Sequence, residues 1–178
     1  YTVKLLGITR ARENGIELRV RPTLVPSSSM LANVQGGMNA VMVHGDAVGS
    51  TVYYGAGAGE LPTASAVVAD LVDVARLLTA DHGHRVPYLA FQQDAMADTP
   101  VLAMADVQSS YYLRLRVEDR PGVLADISRI LADGQISISS MFQEPAVNDE
   151  TDIIFLTHEA REGDIEAAIV HIQSLDFV

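Results

Sequence analysis

Apolar and polar positions alternate over residues 3–11 and again over 16–24, and this period of two predicts a pair of β-strands. Glu13, Asn14 and Gly15 lie between them, and an Asn-Gly pair tolerates the positive φ angles of a hairpin turn. Pro22, Pro26 and the serines at 27–29 then end the second strand in an irregular loop. A second strand pair is predicted at 39–44 and 49–54, joined through Gly45 and Asp46, which suit a tight turn. The alternation stops at Gly55, Gly57 and Gly59, after which Val67, Leu71, Val74 and Leu78 recur at helical spacing within 64–78. Pro62 fits the first turn of that helix, where a missing N–H sacrifices no helical hydrogen bond.

Residues 80–110 carry Gly83, Pro87 and Pro100 and sustain neither period, which predicts a linker partly packed on a neighbour. The pattern sharpens again at Tyr111. A strand is expected over 111–117, a turn at Asp119, Arg120, Pro121 and Gly122, and then a helix marked by Val123, Ile127, Ile130 and Leu131 that stops near Gly134. Strands follow at 135–142 and 151–157, then a helix over 162–174 with Ile165, Ala168, Ile169 and Ile172 on one face, and a last short strand at 175–178. The expected class is α+β: antiparallel hairpins with a glycine loop and helix in 1–80, a linker at 81–110, and a βαββαβ ferredoxin-like unit in 111–178.

Composition narrows the partners. With 178 residues and 48% apolar content the chain suits one ordinary domain or two small ones. A net charge of -11, with basic residues scattered singly, offers no stripe for nucleic acid or for an anionic membrane. The chain has no cysteine for disulfides or thiolate metal sites. No apolar run reaches the roughly 18 residues of a membrane span, and no secretory signal precedes the first strand, so a cytosolic setting is expected. Tyr1 opens directly on a strand pattern, which reads as the start of a fragment. Among His44, His82, His84, His158 and His171 the closest pair is His82 and His84, with only Asp81 nearby, and no metal site is expected. Ser65 and the serines at 27–29 lack an elbow motif and a partnered histidine, and are expected to be turn and capping residues rather than nucleophiles.

A glycine-rich turn between strand and helix lets a ligand approach the backbone, and the helix start offers unpaired N–H groups. A merely compliant turn explains the same pattern. The dinucleotide fingerprint GxGxxG is not met, because Pro62 stands where its third glycine belongs and no acidic strand end follows at the usual distance of about 20 residues. In its wider setting, Gly45-Asp46-Ala47-Val48-Gly49, the run from Tyr54 through Gly59 to Ser65 and the helix that continues to Arg76 strongly resemble the C-terminal part of homoserine dehydrogenase. The segments 5–9, 15–20 and 22–26 are similar to those that lead up to it in that family, although Arg21 stands before Pro22 where the family often has His. The resemblance implies NAD(P)-dependent interconversion of aspartate semialdehyde and L-homoserine. It also implies a loop that closes over the nicotinamide end of NADP or NAD, and a following helix that packs on an upstream dinucleotide domain. Gly59 is then the first candidate for cofactor contact, with Gly57, Ala58 and Thr63 behind it. The family's catalytic lysine and substrate-binding acidic residues lie before the segment seen here, and Lys4, the only lysine, does not match that motif. No catalytic residue is assigned.

The run Asp119-Arg120-Pro121-Gly122-Val123-Leu124 joins a strand to a helix start, so its N–H groups suit the carboxylate of a small zwitterion whose amino group Asp119 could accept. An ordinary tight turn with Pro at the first helical position fits the local sequence equally well. The motif together with the βαββαβ order resembles the ACT domain, whose members commonly bind amino acids at this turn, often across a dimer interface. The resemblance implies feedback control by L-threonine in a homo-oligomer, a dimer or tetramer, with Asp119, Gly122, Val123 and Leu124 lining the site and Ser139 or Ser140 nearby. It also implies a place in threonine, methionine and isoleucine biosynthesis, and a fragment that is inert by itself because the catalytic lysine and dinucleotide domain are missing. The competing expectation is a free-standing amino-acid-sensing module, which the sequence upstream of Tyr1 would decide.

Overall fold

The structure, a computed structural model, describes residues 1–81, 94 and 96–178. The His82 and His84 pair lies outside the described residues. The chain divides into two compact units, one of 1–6 with 21–98 and one of 7–20 with 99–178.

Strands β1 (Thr2–Arg12) and β2 (Gly15–Val25) pair as the alternation predicts. The turn is Glu13 and Asn14, and Gly15, already in β2, takes the positive φ of 151° that the Asn-Gly pair suggested. The chain then continues, in the first unit, through a 3-10 turn (Met30–Asn33), β3 (Met38–Gly45), β4 (Gly49–Ala56) and α1 (Glu60–Thr79). The Ser29 hydroxyl caps the 3-10 turn by accepting from the Leu31 N–H, the role expected of the serine run. Strands β3 and β4 are antiparallel in a register that sets Gly45 against Gly49. The linking loop is three residues, and its positive φ falls on Gly49 (73°) rather than on the Gly45-Asp46 pair.

Helix α1 starts earlier than its apolar spacing predicts and buries none of its residues. Val67, Leu71, Val74 and Leu78 are all more than half exposed. Among the described residues of this unit only Val25 and Ala32 are buried apolar side chains.

The second unit carries its own core. A 3-10 turn (Met104–Asp106) leads into β5 (Gln108–Ser109), which pairs antiparallel with β9 (Ala160–Arg161). Strand β6 (Tyr112–Glu118), helix α2 (Val123–Asp133), β7 (Ile138–Gln143), β8 (Glu150–Thr157) and α3 (Glu162–Gln173) follow, and the sheet order is β6-β8-β7. Leu113 and Val117 of β6 and Ile153 and Phe155 of β8 face one way, as a period of two requires. They meet Val123, Ile127 and Leu131 of α2 and Ile165, Ala168 and Ile172 of α3, which lie at helical spacing.

The expected strand at 175–178 does not form. Those residues turn after α3 instead: Phe177 drops into the core, and its carbonyl accepts a single hydrogen bond, from the Glu118 N–H at 3.0 Å. Committing the ring to the core draws the backbone away from the edge of β6, so no ladder continues.

Helix α2 ends near Gly134 as predicted, by a different device. Gly134 has an ordinary φ of -77°, and the left-handed position falls on Gln135 at 56°. The N–H groups of Gln135 and Ile136 close on the carbonyls of Ala132 and Leu131 at 2.9 and 2.8 Å, a Schellman cap with Leu131 and Ile136 as its buried apolar pair. Gln135→Gly is therefore expected to stabilise the chain by roughly 0.5 kcal/mol, read as a raised thermal midpoint. A lowered midpoint would show that the Gln135 side chain matters more than its strain.

On the outer face of the sheet Arg114 and Arg116 of β6 converge on Asp152 of β8. The Arg116 Nε is 3.1 Å and the Arg114 Nε 2.9 Å from its carboxylate oxygens. Hydrogen bonds from Arg116 and then Arg114 hold the Asp152 carboxyl below its usual range. A folded-state value below the unfolded one gives a stabilisation that is complete above about pH 4 and is lost as pH falls through the folded value. Wild-type stability is expected to fall on acidification below about pH 4, while Asp152→Asn, weaker at neutral pH, loses less over that window. Parallel urea-midpoint profiles for the two would count against Asp152 as the responsible group.

Candidate functional site

Two loops that join a strand to a helix are candidates, one in each unit. In the first unit β4 ends at Ala56 and α1 begins at Glu60, so the loop is Gly57, Ala58 and Gly59, three of the positions expected to contact a cofactor. Gly59 is the N-cap with φ 123° and ψ 159°, a backbone conformation in which a side chain is strained. The first helical hydrogen bond runs from the Thr63 N–H to the Gly59 carbonyl at 3.1 Å, so Thr63 offers its hydroxyl, not its amide. Pro62 is the third helical residue, and with no N–H there the open donors of the first turn belong to Glu60 and Leu61.

Gly57 is needed for a different reason. A Cβ at that position would lie 2.0 Å from the Asn39 Nδ2, because the Asn39 carboxamide of β3 rests against the loop. Asn39 is a residue that the sequence reading missed. Its signal is weak, since only the β3–β4 register, with Asn39 opposite Gly55, brings it there. The loop thus presents bare backbone, one carboxamide and the Glu60 carboxylate. That set fits a ring that bears a carboxamide and is poorly matched to a pyrophosphate, whose charge the Glu60 carboxylate would oppose. Lys4 is tied into the fold through its Nζ on the Val34 carbonyl.

In the second unit the turn between β6 and α2 opens a cavity of about 280 Å³, close to the lower end of ligand-site volumes. Asp119, Gly122, Val123 and Leu124, all expected at the site, line it, together with Gln143, Thr151 and Ile153. Gly122 is the N-cap of α2, with φ 102° and ψ -30°, so Pro121 lies before the cap and not at the first helical position. The first helical bond is Asp126 N–H to Gly122 carbonyl at 2.9 Å, which leaves the N–H groups of Val123, Leu124 and Ala125 as the helix's open donors. Ser139 lies on β7, exposed, at the irregularity between Ile138 and Ser140, and does not line the cavity.

Gln143 and Thr151 escaped the sequence reading. The Gln143 Nε2 donates to Asp119 Oδ1 at 3.3 Å, and the Thr151 hydroxyl donates to the Glu144 carbonyl at 2.6 Å. The loop between β7 and β8 closes the wall: Asn148 and Asp149 both take positive φ (56° and 61°), and the Asp149 carbonyl accepts from the Asp119 N–H at 2.8 Å. The Asn148-Asp149 pair was the available clue, because such pairs suit a two-residue hairpin turn. The site thus offers helix N–H donors, a carboxylate, a carboxamide and an apolar wall, a set that matches an amino acid.

Among the described residues no group of His, Asp and Glu could hold a metal ion, and no helix is long and apolar enough to cross a membrane.

Residues 1–72 match the homoserine dehydrogenase family and residues 111–176 match the ACT domain. The chain is 52% identical to homoserine dehydrogenases of Neisseria gonorrhoeae and Pseudomonas aeruginosa, with all of the chain covered and 41% and 42% of those proteins. A crystal structure of a homoserine dehydrogenase from Thiobacillus denitrificans superposes with a TM-score of 0.88 at 64% identity, over 99% of this chain and 40% of that one. The chain therefore spans about two fifths of the length of the curated relatives it matches.

Proposed function

Because the chain belongs to the homoserine dehydrogenases, as their C-terminal region followed by an ACT domain, we propose that it serves an NAD(P)-dependent enzyme that interconverts aspartate semialdehyde and L-homoserine. In this reading the cavity at Asp119, Gly122, Val123 and Leu124 binds L-threonine as a feedback effector in a homo-oligomer. The observation that carries the reading is the order of the two matches along one chain, each holding a strand-to-helix loop of suitable chemistry. This reading takes 1–80 as the catalytic and dimerisation region, 81–110 as a linker and 111–178 as the ACT domain, in a cytosolic biosynthetic enzyme.

The nicotinamide ring, when bound, supplies the hydride-carrying carbon. In this reading Gly57, Ala58 and Gly59 let that ring lie against backbone, Thr63 offers a hydroxyl, and the exposed face of α1 is covered by the upstream dinucleotide domain. None of these residues moves a proton, and Lys4 is already engaged with Val34. The chain alone is accordingly expected to be inert. Oxidation of L-homoserine by purified 1–178 with NAD or NADP would refute that expectation, and calorimetry that finds no L-threonine bound to the full-length oligomer would sink the effector assignment.

The loop gives a sharper test. Gly57→Ala evicts only the movable end of Asn39, so stability should change little, while the cofactor KM of the full-length enzyme rises about tenfold. An unchanged cofactor KM would remove Gly57 and Asn39 from the site.

A further inference from the structure

Arg120 sits on the ligand turn and lines the cavity, where an arginine would ordinarily grip a ligand carboxylate with its planar fork of donors. Its guanidinium is occupied elsewhere. The Nε lies 2.9 Å from Glu118 Oε2, Nη2 lies 3.3 Å from Asp176 Oδ1, and the central carbon stands 5.2 Å from the centroid of the Phe177 ring. The backbone reinforces the arrangement, since the Glu118 N–H donates to the Phe177 carbonyl and Phe177 itself is buried. Each exposed ion pair is weak by itself, but three contacts and an anchored ring fix one guanidinium in one place. Among the described residues at the mouth the charge is then negative, with Glu118, Asp119 and Asp176 against one cation, Arg120.

We infer that Arg120 is a positioning residue that latches the ligand turn to residues 175–177, so that the site takes a neutral amino acid and rejects a dicarboxylic one. The ligand carboxylate falls to the open N–H groups of α2, and a second carboxylate would meet Asp119 and Glu118 with no free cation among the described residues that line the cavity. The inference rests on the reading of this cavity as an amino-acid site, and its test separates the two.

In the full-length protein, L-threonine and L-aspartate are titrated by calorimetry, and amide exchange is followed at Asp119 and Arg120, for wild type, Arg120→Ala, Arg120→Lys and Asp176→Asn. Threonine should bind and aspartate should not. Arg120→Ala should weaken threonine about tenfold and accelerate exchange at the turn, with a smaller change of the same kind in Asp176→Asn. Two results overturn the latch. One is loss of threonine binding with unchanged exchange, restored by Arg120→Lys, which makes Arg120 a ligand contact; the other is exchange that no substitution alters. Aspartate binding as tightly as threonine overturns the selectivity. If neither amino acid binds yet exchange accelerates in Arg120→Ala, the latch stands and the effector reading falls.

Discussion

Phe155→Ala is expected to unfold most of the ACT domain at temperatures where the wild type is intact. Phe155 is fully buried on β8, between Leu113 and Met141 in the sheet register and beneath the two helices. Removing its ring costs both the transfer of that surface from water and the cavity left behind, about 3–5 kcal/mol. A domain of this size has about 3–10 kcal/mol in total, so the loss consumes from about a third of it to all of it. Phe142 supplies the control. It stands on β7 opposite Ile154, on the other face of the same sheet, and is 61% exposed. Phe142→Ala should change stability by no more than about 0.5 kcal/mol. Urea denaturation of the two variants decides the matter, and equal midpoints would mean that the in-and-out alternation of the sheet is misassigned.

Gly15→Ala should be nearly as damaging, by about 2–5 kcal/mol, although Gly15 lies in a hairpin far from that core in sequence. The neighbouring Ile16 donates its N–H to the Pro100 carbonyl at 2.8 Å and accepts from the Leu102 N–H at 2.9 Å. A Cβ on Gly15 would lie 2.4 Å from the Pro100 oxygen, which is backbone and has no rotamer to escape into. Relief requires the two segments to separate, and both hydrogen bonds go with them. The opening would also disturb Glu17, fully buried and held by Arg12 at 3.0 Å and Arg19 at 3.3 Å, whose charges are costly to leave unpaired. Gly36→Ala, at a positive φ of 62° where an added Cβ meets nothing within 4 Å, is the control. Faster amide exchange at Ile16 and Leu102 in Gly15→Ala is the expected reading; wild-type exchange would refute the close approach.

The two candidate loops were legible in unequal measure. Asp119, Gly122, Val123 and Leu124 form a contiguous strand-to-helix turn, so one short motif carried them together, and the three-residue loop at Gly57 was found in the same way. Gln143 and Thr151 were invisible because they reach the cavity only through the pairing of β7 and β8 behind the turn. Asn39 depends likewise on the β3–β4 register. Arg120 was seen as part of the motif, but the partners that turn its guanidinium aside, Asp176 and Phe177, lie more than fifty residues further along.

What the sequence determined by itself is therefore local: the periods that make strands and helices, the side chains that face the core of the ACT domain, and the turns that Gly and Pro allow. These follow from sterics and amphipathicity over a few residues, which a sequence writes directly. Only the tertiary structure decided that residues 175–178 turn inward instead of adding a strand, that Gly15 lies against Pro100, that the left-handed cap falls on Gln135, and that Arg120 is latched. Those outcomes depend on which distant segments compete for the same core space and the same backbone hydrogen-bonding groups, and backbone groups carry no side-chain signature.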